Sequence, residues 1–384
     1  MKRQKQRRIL TVLIATVIAG APLLFLMSTL ESSDPRPGGD ASSATSSTSS
    51  LPRDAALDVA PLAHVGTPNN LSAIAYGFGS VWVTWWDNEG KRTSGFLAEL
   101  DPETGEELAR LEVPYSPWED GSGSLAVGQN LLWIVGHQPG TTFSDVVLVA
   151  LQTDPLRVVA EVPLADGDAG GVTGSPDGGA WATVVTRDKS GTESSRAYYV
   201  SPTTWLVEQQ IDLGSMRGQD LVATSAGRLW VRGPILENGG LVGEVLKGFD
   251  LASLTEVATL PDVADIMWDG SRIWIRHADE STTYLQEFDE TTGEVTGDPL
   301  LLPGNVQIAG QAGSGWVVGS KVQLVDLANM TTVSSAQVDG GEAVAASSQA
   351  VWVLKSDSTV VLVRVDGASS TGSTQGEPAN QGVT

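Results

Sequence analysis

The 384-residue chain has no cysteine and only three histidines, His64, His137 and His277. The first absence excludes disulfides, thiolate metal sites, cysteine nucleophiles and an acylated N-terminal cysteine. The second leaves little material for a histidine-based metal centre or for general acid–base chemistry. Positive charge is also scarce: 23 Lys and Arg face 46 Asp and Glu, a formal net charge of −23. Such a surface repels nucleic acid and anionic lipid and favours cations or basic partners, although solubility alone is a sufficient reason for it. Helical periodicity is absent, apart from one apolar run near the N-terminus.

That run extends from Ile9 to Leu30 and follows Lys2, Arg3, Lys5, Arg7 and Arg8. About 20 apolar residues suffice to cross a bilayer as a helix, and a basic flank marks the cytoplasmic side. The expectation is a cytoplasmic segment over 1–8, a single transmembrane signal-anchor helix over 9–30, and everything beyond it outside the membrane. The competing reading is a secretory signal cut at Ala19-Gly20-Ala21. Against it, Pro22 would follow the cut and the apolar run continues through Leu26. Five of the 23 basic residues precede the run, so the exported part would carry 18 against 46 acidic residues, a net −28. Residues 31–54 and 368–384 are rich in Ser, Thr, Gly and Pro or Gln, which marks a linker and a disordered tail.

Tryptophan is abundant, with twelve in the chain, and seven of the twelve recur in register: Trp82, Trp133, Trp181, Trp230, Trp274, Trp316 and Trp352. Their spacing of about 36 to 51 residues falls in the range of propeller blades or solenoid units. Each follows a turn cluster such as Gly128-Gln129-Asn130 or Asp269-Gly270-Ser271, and sits in a short apolar run such as Leu132-Trp133-Ile134 or Val351-Trp352-Val353. Before the turn lies a strand of small residues, for example Leu71 to Ala75 or Asp220 to Ala223. After a loop of variable length comes a third strand, such as Phe96 to Leu100 or Val322 to Val325. A second turn follows, clearest at Asp101 to Gly105 and Asp289 to Gly293, and then a fourth strand, such as Leu108 to Leu111 or Val257 to Leu260. Four antiparallel strands per repeat make a propeller blade. The seventh repeat lacks its fourth strand, while Val59-Ala60-Pro61-Leu62 has that pattern and no blade of its own. The spacing therefore predicts an all-β, seven-bladed β-propeller over 55–367, closed by an N-terminal outer strand. Pro61 suits an edge strand.

Gly79-Ser80-Val81-Trp82-Val83 followed by Leu100-Asp101-Pro102-Glu103-Thr104-Gly105 resembles the repeat of bacterial exported propellers of the streptogramin-lyase-like, quinoprotein-like and YVTN groups. The resemblance covers all seven repeats and implies the fold. It implies no single activity, because these groups include lyases, dehydrogenases, assembly factors and binding modules.

Loops between second and third strands share one end of such a ring with the connectors between blades, and here they are long in blades 1 to 5. The first holds Trp85, Trp86, Asp87 and Glu89; the next connector adds Tyr115 and Trp118, and blade 2 adds His137 and Phe143. Exposed aromatics beside carboxylates can stack on sugars, planar ligands or cationic groups, or can simply cap the blades. At the starts of inner strands, Asp220, Asp265, Gln307 and Glu342 recur in blades 4 to 7. Clustered oxygens suit Ca2+ or Mg2+, whereas hydration and backbone hydrogen bonds are the ordinary fate of such groups. His277, with Glu280 nearby, is the best candidate for a general acid or base. The aromatic-Thr-Glu pattern of streptogramin lyases is absent, so their site is not carried over. Ser175-Pro176-Asp177-Gly178-Gly179 reads as a turn. The expected protein is a monomeric, membrane-anchored propeller that binds an envelope protein, glycan or small ligand; the alternative is an exported lyase or hydrolase.

Overall fold

The computed structural model describes residues 56–366, apart from 66–70, 90–91, 114–115, 118–124, 139–144, 189–191, 225, 238–239, 279–281, 303, 305, 312, 339–340 and 342. The expected anchor over 9–30, the linker and the tail lie outside the described residues. Among the described residues there is no helix, and hence none long and apolar enough to cross a membrane.

Seven antiparallel sheets form the blades of a β-propeller. Blade 1 runs Leu71–Gly77, Ser80–Glu89, Arg92–Leu100 and Glu107–Val113. Blade 2 is built of Leu125–Val127, Leu132–His137, Asp145–Thr153 and Leu156–Asp166, with an extra pair of residues, Ser116–Pro117, beside its second strand. Blade 3 comprises Asp168–Gly174, Ala180–Arg187, Glu193–Val200 and Val207–Gly214. Blade 4 has Asp220–Ala223, Arg228–Glu237, Gly240–Asp250 and Thr255–Pro261. Blade 5 has Val263–Trp268, Ile273–Ala278, Thr283–Asp289 and Glu294–Leu302; blade 6 has Gln307–Gln311, Ser314–Val318, Lys321–Asp326 and Thr331–Gln337. The last three strands of the chain, Ala343–Ala346, Ala350–Leu354 and Thr359–Val365, share a sheet with Leu57–His64. Leu57 opposes Val365 and His64 opposes Thr359, with a register shift between Pro61 and Ala63. Pro61 thus lies on the outer edge, where its missing N–H costs no ladder bond.

Side chains alternate across a strand, so each blade tryptophan commits its strand to one neighbour. Every one points forward. Trp82 packs among Leu125, Leu132 and Val149 of blade 2, Trp133 among Ala169 and Ala182 of blade 3, and Trp181 among Leu221 and Val231 of blade 4. Trp230 reaches blade 5, Trp274 blade 6 and Trp316 blade 7. Trp352 closes the circle against Ile74 and Val83 of blade 1. All seven are at most 3% exposed. Two indole N–H groups also cross the joint: Trp316 donates to the carbonyl of Ser347 at 3.1 Å, and Trp352 to that of Pro102 at 3.0 Å. The flat ring of Trp230 lies over Gly248 on the neighbouring strand, where a Cβ would come within 2.3 Å of the indole.

One expectation changes. The supposed second-to-third-strand loops of blades 1 and 4 are continuous hairpins, paired down to Glu89 opposite Arg92 and Glu237 opposite Gly240. Thr84, Trp85, Trp86 and Thr93 are strand-forming residues, and the ladder simply continues through them.

Candidate functional site

The second strand of each blade runs past its tryptophan toward the end of the ring that carries the interblade connectors. Two residues on, the side chain is again directed into the forward joint. This position holds Thr84, Val135, Thr183, Val318 and Leu354 in blades 1, 2, 3, 6 and 7, but Arg232 and Arg276 in blades 4 and 5. Directly across the ladder from these arginines stand Asp220 and Asp265, at the starts of the inner strands. The strand registers alone thus bring the charges together.

Arg232 is the centre of the group. Its Nη2 lies 2.5 Å from Asp220 Oδ2 and its Nη1 2.9 Å from Glu244 Oε2, with Gln219 Oε1 at 3.4 Å. Burial alone would weaken its basicity; Asp220, Asp265 and Glu244 outweigh burial and raise it. Arg276 holds Asp265 at 3.7 Å and donates to the carbonyl of Ala264 at 3.1 Å. The Asp265 carboxyl is pushed up to about 6, first by burial and then by the charge of Asp220, against the pull of Arg276 and Arg232. In the adjoining joint Arg217 reaches back from the connector before blade 4 to Asp168 at 3.0 Å. There Thr183 donates to the carbonyl of Gly218 at 2.8 Å and accepts from the N–H of Gly171 at 2.9 Å.

The acidic arc read from the sequence is therefore partly real, but its counter-ions are arginines. Asp220 and Asp265 meet guanidinium groups rather than an open carboxylate cage, and Glu342 lies outside the described residues. Among the described residues no group of three or more acidic or histidine side chains is placed to hold a metal ion. The acidic pattern along the inner strands does not reveal Arg232 and Arg276, which lie on the second strands. Counting two residues forward from each tryptophan would have found them.

The aromatic group divides. Trp85 is 3% exposed and belongs to the core between blades 7 and 1. It stacks on Phe96 at 5.3 Å, and the guanidinium of Arg110 lies 5.1 Å from its ring centroid. The expectation of an exposed platform there is corrected by strand parity: Trp85 is an odd step from Trp82, so it faces backward into the neighbouring blade. Trp86 is half-buried at the same end of the ring. The backbones of Asp87 and Glu89 continue the strand; Tyr115, Trp118 and Phe143 lie outside the described residues.

His137 ends the second strand of blade 2 and is buried, accepting at Nε2 from the N–H of Ala169 at 3.5 Å. Burial lowers its basicity, and Asp168 opposes the change. His277 is half-buried. It stacks on Tyr284 at 5.0 Å and its Nδ1 is 3.2 Å from the carbonyl of Asp262, an arrangement that suits the Nδ1–H tautomer. Burial lowers its basicity too, against the raising effect of Asp262. Its sequence neighbour Glu280 lies outside the described residues.

No family model matches the sequence, and no curated protein does. Among solved structures, that of U3-55K aligns over 80% of this chain and 98% of its own, with a TM-score of 0.56 and 9% identity. BamB from Moraxella catarrhalis aligns over 80% of this chain and 100% of its own at 12% identity, with a TM-score of 0.43 that falls short of fold equivalence. At 9% identity the likeness to U3-55K is one of fold alone. Fold and joint geometry together define the chain as a seven-bladed β-propeller.

Proposed function

We propose that this propeller is a binding or scaffold module, tethered to the outer side of a cell membrane through residues 9–30. The observation that carries the reading is the fate of the reactive groups at the connector end. The carboxylates of blades 4 and 5 are engaged by Arg232 and Arg276, and both described histidine rings pack against the protein's own backbone. These groups lock the joints of a rigid ring, which leaves its surfaces as the functional part. The basic-flanked apolar run supports the tether and its orientation. The resemblance of the repeats to exported bacterial propellers and the excess of acidic residues support an extracytoplasmic setting. A protein, glycan or small ligand of the envelope is the expected partner.

The test has two parts. After alkaline extraction of cell membranes, the full-length chain is expected to stay in the pellet, and protease added to intact cells is expected to remove residues 55–367. Recovery in the soluble fraction, or a mature N-terminus near Pro22, would overturn the tether. His277→Ala is expected to complement a deletion of the gene as well as wild type does. Failure of this folded variant to complement would favour the lyase or hydrolase alternative.

A further inference from the structure

The opposite end of the ring carries the turns that join first to second and third to fourth strands. Between blades 2 and 3 these turns part around an open cleft of about 490 Å3. Gln129, Asn130 and Gln152 line it from blade 2, and Asp177, Thr203 and Trp205 from blade 3.

Its polar groups are oriented by hydrogen bonds to neighbouring residues. Asp177 accepts hydrogen bonds from the Tyr199 hydroxyl and from the N–H of Gly179 at 3.2 Å. Gln152 accepts from Arg157 at 2.7 Å, and the Gln129 amide donates to the carbonyl of Pro176 across the joint. Trp205 closes the turn Ser201-Pro202-Thr203-Thr204-Trp205, in which Ser201 Oγ accepts the N–H groups of Thr203 and Thr204. Its φ is 57°, and the same position is Gly105 in blade 1 and Gly293 in blade 5. Glycine adopts this left-handed geometry freely, whereas a bulky side chain is strained there. Leu254 and Met330 stand at the same place in blades 4 and 6, so filling the joint is one role of this position. In blade 3 the filler is an indole. It rests on Trp133 at 6.1 Å and stays partly exposed to the cleft.

The lining selects among ligand classes. It contains no Lys or Arg among the described residues, which disfavours phosphates and other anions. It offers a single aromatic ring rather than the several that enclose a quaternary ammonium group. What fits is a neutral ligand with one apolar face and a rim of hydroxyls: side-chain amides, a hydroxyl and a carboxylate supply both donors and acceptors, and the indole a stacking face. The volume falls in the range of small-ligand pockets. We propose that the cleft between blades 2 and 3 binds a neutral glycan, with a pyranose ring stacked on Trp205 and its hydroxyls held by Gln129, Gln152, Asp177 and Thr203. This rests on the reading of the protein as a binding module, but uses the other end of the ring.

The test uses the full-length chain in a detergent without a sugar headgroup. Cellobiose, maltose and N,N′-diacetylchitobiose are titrated by saturation-transfer NMR and calorimetry, a neutral-glycan array is probed in parallel, and choline serves as the cationic control. At least one neutral glycan is expected to bind at millimolar concentration or below. Trp205→Gly, which relieves the backbone, is expected to weaken that binding tenfold or more without unfolding the ring. If that variant fails to fold, Thr203→Ala at the exposed rim takes its place, with a severalfold loss expected. The proposal is overturned if no neutral glycan binds, if choline alone binds, or if the folded variants bind as wild type does. Cross-linking to envelope partners in cells is expected to survive Trp205→Gly. Its absence in wild type would count against the binding-module reading, whereas absence of glycan binding by wild type, with cross-linking retained, would count only against this cleft.

Discussion

At the connector end of the ring, blades 4 and 5 gather Asp220, Arg232, Glu244, Asp265 and Arg276 into a partly buried ion-pair network. At the turn end, blades 2 and 3 leave a cleft whose polar groups are oriented by short turn bonds and by Tyr199. Both arrangements are made of side chains at repeat positions, two residues past a tryptophan in one case and at the close of a turn in the other. They differ in where the interactions end. Each charge of the network meets another charge of the protein, so the group contributes cohesion and specificity of packing. In the cleft the bonds orient groups that line an open surface, where Gln129 and Thr203 stay exposed and Trp205 partly so. Substitutions at the two ends should therefore have opposite consequences, for stability at one and for recognition at the other.

Ring closure sets the scale for that contrast, because both ends depend on it. Deleting residues 55–66 removes the outer strand of blade 7 and exposes the edge of Thr359–Val365. The loss should exceed that of any single substitution, more than about 5 kcal/mol. An unchanged melting temperature in a thermal scan would refute the closure. Arg232→Ala comes next. It leaves Asp220, Glu244 and Asp265 without their central cation, and removing one partner of a buried pair typically costs about 3–5 kcal/mol. Chemical denaturation should show that loss with glycan binding at the turn end unaltered in the folded fraction; a loss below about 1 kcal/mol would reduce the network to surface pairing.

Asp265 gives the connector end a pH signature. Its folded value, about 6, is above the ordinary carboxylate value of 3.8. The protonated form thus favours the fold. That contribution is complete below about pH 4 and lost as pH rises through about 6, an effect of roughly 2–3 kcal/mol. Asp265→Asn should therefore gain stability relative to wild type between about pH 4 and 7, and parallel pH profiles for the two proteins would exclude the effect. The smallest change is expected for Trp205→Gly. Relief of a left-handed residue, worth about 1–2 kcal/mol, offsets part of the packing lost against Trp133. A net change within about 2 kcal/mol by denaturant titration would separate this turn from the core tryptophans, where truncation to alanine costs about 3–5 kcal/mol.

Much of the architecture could be read from residues alone, because the informative patterns are local. A turn, a tryptophan in an apolar run and a second turn recur within some 40 residues, and the count of repeats with one missing outer strand is enough to predict closure. Strand parity would also have shown that Trp85 faces backward into a core. The candidate sites were less legible. A long distance between turn signals fits either a long loop or a long hairpin, and in blades 1 and 4 it is taken up by hairpins. The acidic residues of the arc stand out in the sequence, but their arginine partners lie at the opposite strand position, which becomes apparent only once the register is known.

The sequence by itself determined seven blades, a core tryptophan in the second strand of each and the strand that closes the ring, since alternation and turn chemistry act between near neighbours along the chain. Only the tertiary structure decided that Arg217 meets Asp168, 49 positions away, that Arg232 acts on Asp265 of the next blade, and that Gln129 reaches Pro176 at the mouth of a cleft bordered by Trp205. These contacts cross from one blade to the next. They depend on the angle and spacing at which whole sheets pack, and no local pattern in the chain encodes that geometry.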